Sequence, residues 1–278
     1  SSLLLPLWPP AHPCCRLCAT KNKKAMDVIA PRGAQMAGFD SACGFMGPAS
    51  KGQKFAKYVE PGCPYRADDV MQPEAAVKTG TTIMAIEFDG GVVMGADTRT
   101  STGQYVANRA SRKISKVFDN IFVCRCGSAA DTQALTGFVI NYLGQHQVEI
   151  GGQPTVHTAA NLFKLIAYNN KDNLMAGLIV AGYDKKRGGQ VYNIPLGGTL
   201  MKVPFACDGS GSGYIGGLID ANYKPGMTKA EALAFVRMCV SHAMARDGSS
   251  GGMIRTLVVT EAGIEEDAIP GDKLPYGP

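Results

Sequence analysis

A glycine–threonine pair, Gly80-Thr81, stands where an irregular leader gives way to a patterned core. If the bond between these residues is cut, Thr81 carries both a hydroxyl nucleophile and a free α-amine that can act as its general base. The amine suits this role because its unperturbed pKa is about 8, close to neutral pH. On the dipeptide alone, a threonine that merely begins a β-strand is the simpler interpretation.

Two glycine-rich motifs suggest other chemistries. The run GSGYIG at 211–216 matches a dinucleotide-binding pattern, but the strand-like run before it carries Lys202 and Pro204, which a buried parallel strand tolerates poorly. The run GSSGG at 248–252 matches the nucleophile elbow of serine hydrolases, but it lies between a helix and a strand instead of between a strand and a helix. We therefore expect neither kind of site. His146, His157 and His242 have no plausible Ser or Cys partner nearby in sequence and are interpreted as packed or solvated.

Charge and cysteine content limit the classes of partner. The chain has 278 residues and a net charge of +5, but residues 1–80 hold ten basic and six acidic residues, so most of the excess lies there. The core therefore offers no net positive field for nucleic acid. Nine cysteines, five of them in residues 1–80, indicate a reducing compartment and not a disulfide framework.

Neither a metal site nor a membrane segment is expected in the leader. Cys15 and Cys18, with His12 nearby, could form half of a zinc site, but no second pair of ligands follows. The early apolar run LLLPLW at 3–8 is broken by Pro6 and lacks a preceding positive region. It predicts neither a membrane span nor a signal peptide.

Regular patterns begin at Thr81. Helices are predicted after Gly127, where Ser128 and Asp131 resemble a capping box, and over 228–245, where Thr228 and Glu231 form another. Further helices are predicted at 157–170 and 216–223, and strands at 81–88, 92–97, 113–117, 121–126, 175–183, 190–194, around 199–206 and at 253–261. This order favours two antiparallel sheets packed together with helices outside.

Six segments resemble the catalytic β-type subunits of the 20S proteasome, which are N-terminal-nucleophile threonine proteases. These are TGTTIMA at 79–85, GGVVMGADTRTSTG at 90–103, NRASRKI at 108–114, RCGSAADTQAL at 125–135, DGSGSGYIGG at 208–217 and ARDGSSGGMIR at 245–255. The resemblance extends over 81–278 and is strongest to the caspase-like type, which cleaves after acidic residues. It implies an α+β fold, a four-layer αββα sandwich.

The resemblance also implies roles for individual residues. Thr81 is expected to be nucleophile and base, Lys113 the buried cation beside it, Asp97 the carboxylate that pairs with Lys113, and Gly127 the donor of a backbone N–H to the oxyanion. The polar set expected to hold the new terminus and its water is Ser210, Asp247 and Ser250. Asp208 departs from the pattern, because the family commonly has a small residue there.

The strand period predicts the specificity pocket. Arg125 and Gly127 are two residues apart, so on a strand they face the same side, which places a cation beside the oxyanion site. A cation there favours Asp or Glu before the cleaved bond. Without the resemblance, a solvated strand arginine is the simpler interpretation. The substrate is expected to lie extended along Ser101, Gly127 and Ala129.

The resemblance implies that the leader, residues 1–80, is removed autocatalytically from the catalytic domain, residues 81–278. It further implies assembly with β-type and α-type subunits in stacked heptameric rings, regulatory caps on the whole particle, unfolded polypeptide substrates, and residence in cytoplasm and nucleus. No cofactor, nucleic acid or membrane partner is expected. The alternatives are a stand-alone amidohydrolase of the same N-terminal-nucleophile class and a purely structural β subunit.

Overall fold

The computed structural model describes residues 79–103 and 105–276. The expectations for residues 1–78, including the leader and the Cys15/Cys18 pair, lie outside the described residues. The strands are β1 Ile83–Phe88, β2 Gly91–Asp97, β3 Thr100–Thr102, β4 Tyr105–Asn108, β5 Ile114–Phe118, β6 Ile121–Gly127, β7 Ala176–Asp184, β8 Gly188–Ile194, β9 Met201–Lys202, β10 Phe205–Asp208, β11 Ile254–Thr260 and β12 Gly263–Ile269. The helices are α1 Ala129–Ile150, α2 Val156–Asn169, α3 Ser212–Asn222 and α4 Lys229–Arg246.

Within the described residues these strands form two five-stranded antiparallel sheets and one small hairpin. The first sheet has the order β10-β1-β2-β11-β12, the second has the order β5-β6-β7-β8-β9, and β3 pairs with β4. Apolar side chains from the inner faces of both sheets form one core, for example Met94, Cys124 and Ile179. Because alternate residues of a strand face opposite sides, the outer faces are free to pack against helices.

Helices cover both outer faces. Phe163 of α2 and Leu143 of α1 pack on the second sheet, while Val236 and Val240 of α4 pack on the first. The layers therefore follow the order helix, sheet, sheet, helix, which confirms the predicted α+β sandwich. None of the helices among the described residues is long and apolar enough to cross a membrane.

Local sequence signals explain the helix starts. The Ser128 hydroxyl accepts a hydrogen bond from Asp131 N at the start of α1, and Thr228 forms a capping box with Glu231 at the start of α4. Both caps were predicted. Helix α3 begins at Ser212, earlier than the predicted 216, so the GSGYIG motif spans its first turn.

The predicted strand around 199–206 is two strands in different sheets. β9 pairs with β8 of the second sheet, and β10 pairs with β1 of the first. Pro204 lies between them and has no N–H to donate to a ladder. Only its carbonyl is used, as the acceptor from Glu87 N. The chain crosses from one sheet to the other at this residue, which brings β10 beside β1 and Thr81.

The packing of α4 on β2 leads to the first prediction. A Cβ added to Gly95 would collide with the fully buried Val236 side chain on α4. We expect Gly95→Ala to lower the free energy of unfolding by about 1–3 kcal/mol, the usual cost of overpacking. Gly137→Ala is the matched control, because a Cβ there meets nothing within 4 Å and α1 gains up to about 1 kcal/mol of helix propensity. Denaturant unfolding of the purified variants measures both, and an unchanged midpoint for Gly95→Ala would contradict the contact.

Candidate active site

The carbonyl oxygen of the Gly80–Thr81 peptide bond receives two hydrogen bonds. Thr81 Oγ1 donates to it at 2.7 Å and Lys113 Nζ donates to it at 3.0 Å. Both side chains are buried. A hydroxyl and a cation therefore lie against the one peptide bond that the sequence analysis identified as the cleavage point.

Lys113 forms a buried ion pair with Asp97. Lys113 Nζ lies 2.7 Å from Asp97 Oδ1, and both side chains are at most 5% exposed. Asp97 ends β2 in one sheet, and Lys113 immediately precedes β5 in the other. The carboxylate also accepts backbone N–H groups from Thr82 at 2.9 Å, Gly251 at 3.0 Å and Arg99 at 3.2 Å. Four donors thus surround one carboxylate, which compensates for much of its lost hydration.

Burial shifts both members of the pair towards their neutral forms. It lowers the pKa of Lys113, and the nearby Asp97 charge opposes this. It also raises the pKa of Asp97, which the Lys113 ammonium and the N–H groups of Thr82 and Gly251 oppose. Because four hydrogen bonds stabilise the ionised carboxylate, we take Asp97 as charged. Lys113 is then a buried cation paired with Asp97, and its pKa lies below the ordinary value because of burial.

A second hydrogen-bond network holds the nitrogen of Thr81. Thr81 N donates to Ser210 Oγ at 3.0 Å, and Ser210 Oγ donates to Asp247 Oδ2 at 2.6 Å. The same oxygen of Asp247 accepts from Ser250 Oγ at 2.6 Å, and Ser250 Oγ lies 2.8 Å from Thr82 Oγ1. The structure therefore brings Ser210, Asp247 and Ser250 together around Thr81, although Ser210 is far in sequence from the other two.

The second residue before the cleavage point lies extended between two strands. Thr79 forms antiparallel bridges with Thr102 of β3 and with Gly127 of β6, and its hydroxyl donates to the Gly127 carbonyl. Gly127 has a φ of +98°, and a Cβ there would collide with the Met175 carbonyl. A side chain at this position is excluded on both grounds. The groove between β3 and β6 thus already holds a stretch of polypeptide.

Arg125 and Gly127 line one small cavity with Thr81. The other residues around it are Thr79, Thr100, Ser111, Arg112, Lys113, Cys126, Ala129, Thr132 and Gln133. Arg125 Nη2 donates to the Arg112 carbonyl at 2.9 Å, while its buried Nε has no partner among the described residues. Burial lowers the pKa of Arg125. The guanidinium is therefore held at the cavity wall with hydrogen-bonding capacity left over.

Ser101 takes a different position from the other expected substrate contacts. Its side chain is buried, and its hydroxyl donates to the Ser249 carbonyl at 3.4 Å. It does not line the cavity in the described part of the chain, whereas its neighbour Thr102 pairs with Thr79. Sequence reasoning missed the pairing of Thr79 with Thr102, because no local pattern indicates which strands a three-residue edge segment will contact.

Asp208 leaves the Ser210 hydrogen bonds intact. Its Oδ1 accepts from the adjacent Gly209 N at 2.7 Å, and Ser210 remains bonded to Thr81 and Asp247. Burial raises the pKa of the Cys126 thiol well above its usual range, and the Asp208 charge adds to this. Cys126 is therefore a neutral thiol, which makes it a poor nucleophile.

The histidines and acidic residues form no further site in the described chain. His157 contacts Asn161 and Tyr192, and His242 stacks on Tyr276 at 3.8 Å between ring centroids. No cluster of three or more His, Cys, Asp or Glu side chains suited to a metal ion occurs among the described residues. The GSSGG run supplies Ser250 to the Asp247 network described above.

The ion pair leads to the second prediction. Asp97→Asn leaves the Lys113 ammonium buried without a counter-charge, which should lower the free energy of unfolding by about 3–5 kcal/mol at pH 7. It should also lower the pKa of Lys113 further. Between that value and the ordinary value of about 10.4, the unfolded chain binds more protons than the folded one, so stability rises with pH.

The loss caused by Asp97→Asn should therefore be smaller at pH 9.5 than at pH 7, measured by urea unfolding against the unsubstituted chain at each pH. Asp119→Asn is the control, since Asp119 pairs with Lys116 and both side chains are exposed. That substitution should cost less than about 1 kcal/mol at either pH. A loss for Asp97→Asn that does not vary with pH would mean that Lys113 stays charged in the folded variant.

Comparison with known proteins identifies the family. A family model described as proteasome subunit matches residues 77–259. Proteasome subunit beta type-6 of Dictyostelium discoideum is 56% identical over 200 residues, covering 72% of this chain and 94% of that protein. Its namesake in Arabidopsis thaliana is 52% identical over 201 residues, covering 72% and 86%. Proteasome subunit beta type-1 of Saccharomyces cerevisiae is 51% identical over 189 residues, covering 68% and 87%. The chain therefore belongs to the proteasome subunit family, as one of its β-type members.

Proposed function

We propose that this chain is a threonine endopeptidase subunit of the 20S proteasome core that cleaves after acidic residues, with Thr81 as its N-terminal nucleophile. The carrying observation is the Gly80 carbonyl, whose oxygen accepts hydrogen bonds from both Thr81 Oγ1 and Lys113 Nζ. Identity of about 50% to subunits named beta type-1 and beta type-6 supports the same assignment.

Removal of the leader uses the Gly80–Thr81 bond as the first substrate. Thr81 Oγ attacks the Gly80 carbonyl carbon, its proton passes to the departing Thr81 nitrogen, and the C–N bond breaks to leave an ester. Lys113 stabilises the negative charge that develops on the Gly80 oxygen. Water then hydrolyses the ester and releases the leader with a carboxylate at Gly80. A Cβ on Gly80 would collide with Ser249, so this geometry requires glycine before the bond.

The mature site repeats this chemistry on other chains. The freed Thr81 amine takes the proton from the Thr81 hydroxyl, which attacks the substrate carbonyl to form an acyl-enzyme ester. Ser210, held by Asp247, already accepts from the Thr81 nitrogen and orients it. Lys113 lowers the cost of ionising the hydroxyl, and Gly127 N–H donates to the oxyanion. Water activated by the amine then releases the product.

The substrate follows the path that Thr79 now takes. An extended chain between β3 and β6 forms backbone hydrogen bonds on both sides, independently of its sequence. We place the side chain before the cleaved bond beside Arg125, whose buried Nε lacks an acceptor among the described residues; the substrate backbone must there depart from the course of Gly80, where a Cβ would collide with Ser249. An Asp or Glu side chain satisfies this donor and matches its charge, while an apolar one leaves it unpaired.

The proposal extends to the setting in which the chemistry takes place. The chain assembles with other β-type and α-type subunits in stacked heptameric rings, regulatory caps bind the whole particle, and unfolded polypeptides are the substrates. The particle resides in cytoplasm and nucleus. A groove that binds substrate backbone selects little among proteins. Confinement of the site inside the rings would supply the missing selection, because only chains admitted to the particle reach it.

The third prediction concerns Thr81. Intact mass and N-terminal sequencing of the chain in active particles should show that it begins at Thr81. Thr81→Ala should abolish both removal of the leader and peptide hydrolysis, because both need the same hydroxyl. Thr81→Ser is the matched control, since it keeps a hydroxyl and should still be processed. A Thr81→Ala chain that begins at residue 81 would mean that another subunit cuts the leader, and active particles that retain the leader would contradict the mechanism.

The fourth prediction concerns Arg125. Arg125→Met should depress cleavage after Glu relative to cleavage after Leu by about 1–3 kcal/mol in the ratio of specificity constants, because a charge-assisted hydrogen bond is lost. Arg109→Met is the control, since Arg109 is exposed and does not line the cavity. Both peptide types are assayed on purified particles with the other active subunits blocked. An unchanged Glu-to-Leu ratio would remove Arg125 from the specificity pocket.

A further inference from the structure

A second cavity, of about 320 Å³, lies on one side of the sandwich between β5 and β6 of one sheet and β11 and β12 of the other. It is lined by Arg112, Ile114, Lys116, Phe122, Arg255, Thr256, Leu257, Ile264 and Glu266. Thr81, Gly127 and Arg125 are not among these residues. The catalytic scheme therefore gives this cavity no role.

The wall of this cavity has more cations than the nearby carboxylates neutralise. Among its described lining residues, Glu266 is the only acidic one, and it faces Arg112 at 3.9 Å and Arg255 at 3.7 Å. These distances are long for ion pairs that share a single carboxylate oxygen. Lys116, the third cation, lies 3.2 Å from the exposed Asp119. The cavity keeps a positive excess that suits an anionic group.

One buried polar atom of a lining side chain lacks a partner within the described chain. It is Arg255 Nε, on the face of β11 that Leu257 shares. A buried donor without an acceptor costs free energy, so native proteins generally supply one. A carboxylate oxygen entering the cavity would satisfy Arg255 Nε and complete the pairing of its guanidinium.

The remaining wall is apolar. Ile114, Phe122, Leu257 and Ile264 line the same cavity, and Ile264 is 40% exposed. A free inorganic anion would leave these side chains in water, whereas an acidic residue next to an apolar one would cover them. The volume matches one or two side chains.

Two edge strands border the cavity. β5 ends the second sheet and β12 ends the first, so each has one side without a strand partner in the described structure. An extended polypeptide can add to such an edge through backbone hydrogen bonds. Along β12 the charges alternate: Glu266 lines the cavity, while Glu265 and Asp267 pair with Lys229 and Arg237 of α4 on the opposite face.

We propose that this cavity binds an acidic side chain and an adjoining apolar side chain from a neighbouring proteasome subunit. The carboxylate lies between Lys116 and Arg255, the apolar group covers Ile264, and the backbone of the neighbouring segment runs along β12 or β5. The inference rests on the membership of the chain in a family of subunits and on the charge of the cavity, and is independent of Thr81 chemistry.

Zero-length cross-linking tests this directly. Particles assembled from the full chain and its partner subunits are treated with a water-soluble carbodiimide, which joins an amine to a carboxylate that it already contacts. Mass spectrometry should find Lys116 joined to one Asp or Glu of a neighbouring subunit, with an apolar residue beside it in sequence. The link between Lys116 and Asp119 within the chain serves as the internal measure of reaction.

Charge variants show whether the wall determines this contact. Arg255→Gln should lower the intersubunit link at least about fivefold relative to the internal link, and Arg255→Lys, which keeps the charge, should retain most of it. Arg237→Gln is the matched control, because it removes an arginine that pairs with the opposite face of β12. Arg112 is left unchanged because it also lines the cavity beside Thr81.

The proposal fails if only the internal link forms, if the linked residue has no apolar neighbour, or if Arg237→Gln lowers the intersubunit link as much as Arg255→Gln does.

Thermal unfolding distinguishes a free carboxylate ligand from a subunit contact. If no intersubunit link forms and 10 mM citrate raises the melting temperature of unsubstituted particles but not of Arg255→Gln particles, the cavity binds a free anion and the subunit contact is overturned. If neither Arg255→Gln nor Arg255→Lys particles assemble, Lys116→Gln, a substitution at an exposed residue, is tested instead. Lys116→Gln particles should then dissociate at a lower salt concentration than Arg237→Gln particles.

Discussion

The buried ion pair between Lys113 and Asp97 joins the two sheets at the site, and most other contacts there depend on it. Asp97 ends β2 of one sheet and Lys113 precedes β5 of the other, so their 2.7 Å contact sets the separation of the sheets at this end of the sandwich. Two charges removed from water are costly unless they are also hydrogen-bonded. The N–H groups of Thr82 and Gly251 meet that requirement, and in doing so they position the chain on either side of Thr81.

Close backbone approach is the second constraint, and glycine makes it possible. A Cβ at Gly209 or Gly211 would collide with Thr81 or Thr82, and one at Gly251 would collide with Arg99. Gly209 also has a φ of +93°, which other residues rarely adopt. Thr81 can therefore be buried and hydrogen-bonded on several sides at once. Because backbone segments approach Thr81 closely, many of the hydrogen-bonding groups around it are backbone N–H and C=O groups.

The two cavities differ in how their charges are balanced. Next to Thr81, Lys113 is neutralised by the Asp97 carboxylate at 2.7 Å, and the hydrogen-bond donor without an acceptor among the described residues is Arg125 Nε. At the β5–β12 side, Arg112 and Arg255 share the Glu266 carboxylate at long distance, and Lys116 pairs with the exposed Asp119. Arg112 contributes to both, through its carbonyl at the first cavity and its side chain at the second. A basic wall on a protein whose described core is nearly neutral indicates a local partner and not a general affinity for polyanions.

Helices and strands with strong local signals could be predicted from the sequence, because caps and apolar periods act within a few residues. Thr228 and Glu231 predicted the start of α4, and the two-residue spacing of Arg125 and Gly127 predicted their shared cavity. Six segments between residues 79 and 255 indicated the family. The resemblance to that family in turn predicted that Thr81, Asp97 and Lys113 lie together. Their roles in chemistry remain predictions.

Contacts between groups that are distant in sequence become visible only in the folded chain. Thr79 pairs with Thr102 and Gly127, and Ser101 turns its hydroxyl towards Ser249, because pairing between separate strands depends on the whole sheet. Strand β12 was missed because an exposed edge carries charges in place of an apolar period. The run at 199–206, predicted as one strand, is divided between two sheets because Pro204 cannot donate a hydrogen bond to a ladder. No local sequence signal indicates which strand pairs with the chain after Pro204. Local chemistry set the elements, and long-range packing chose their partners.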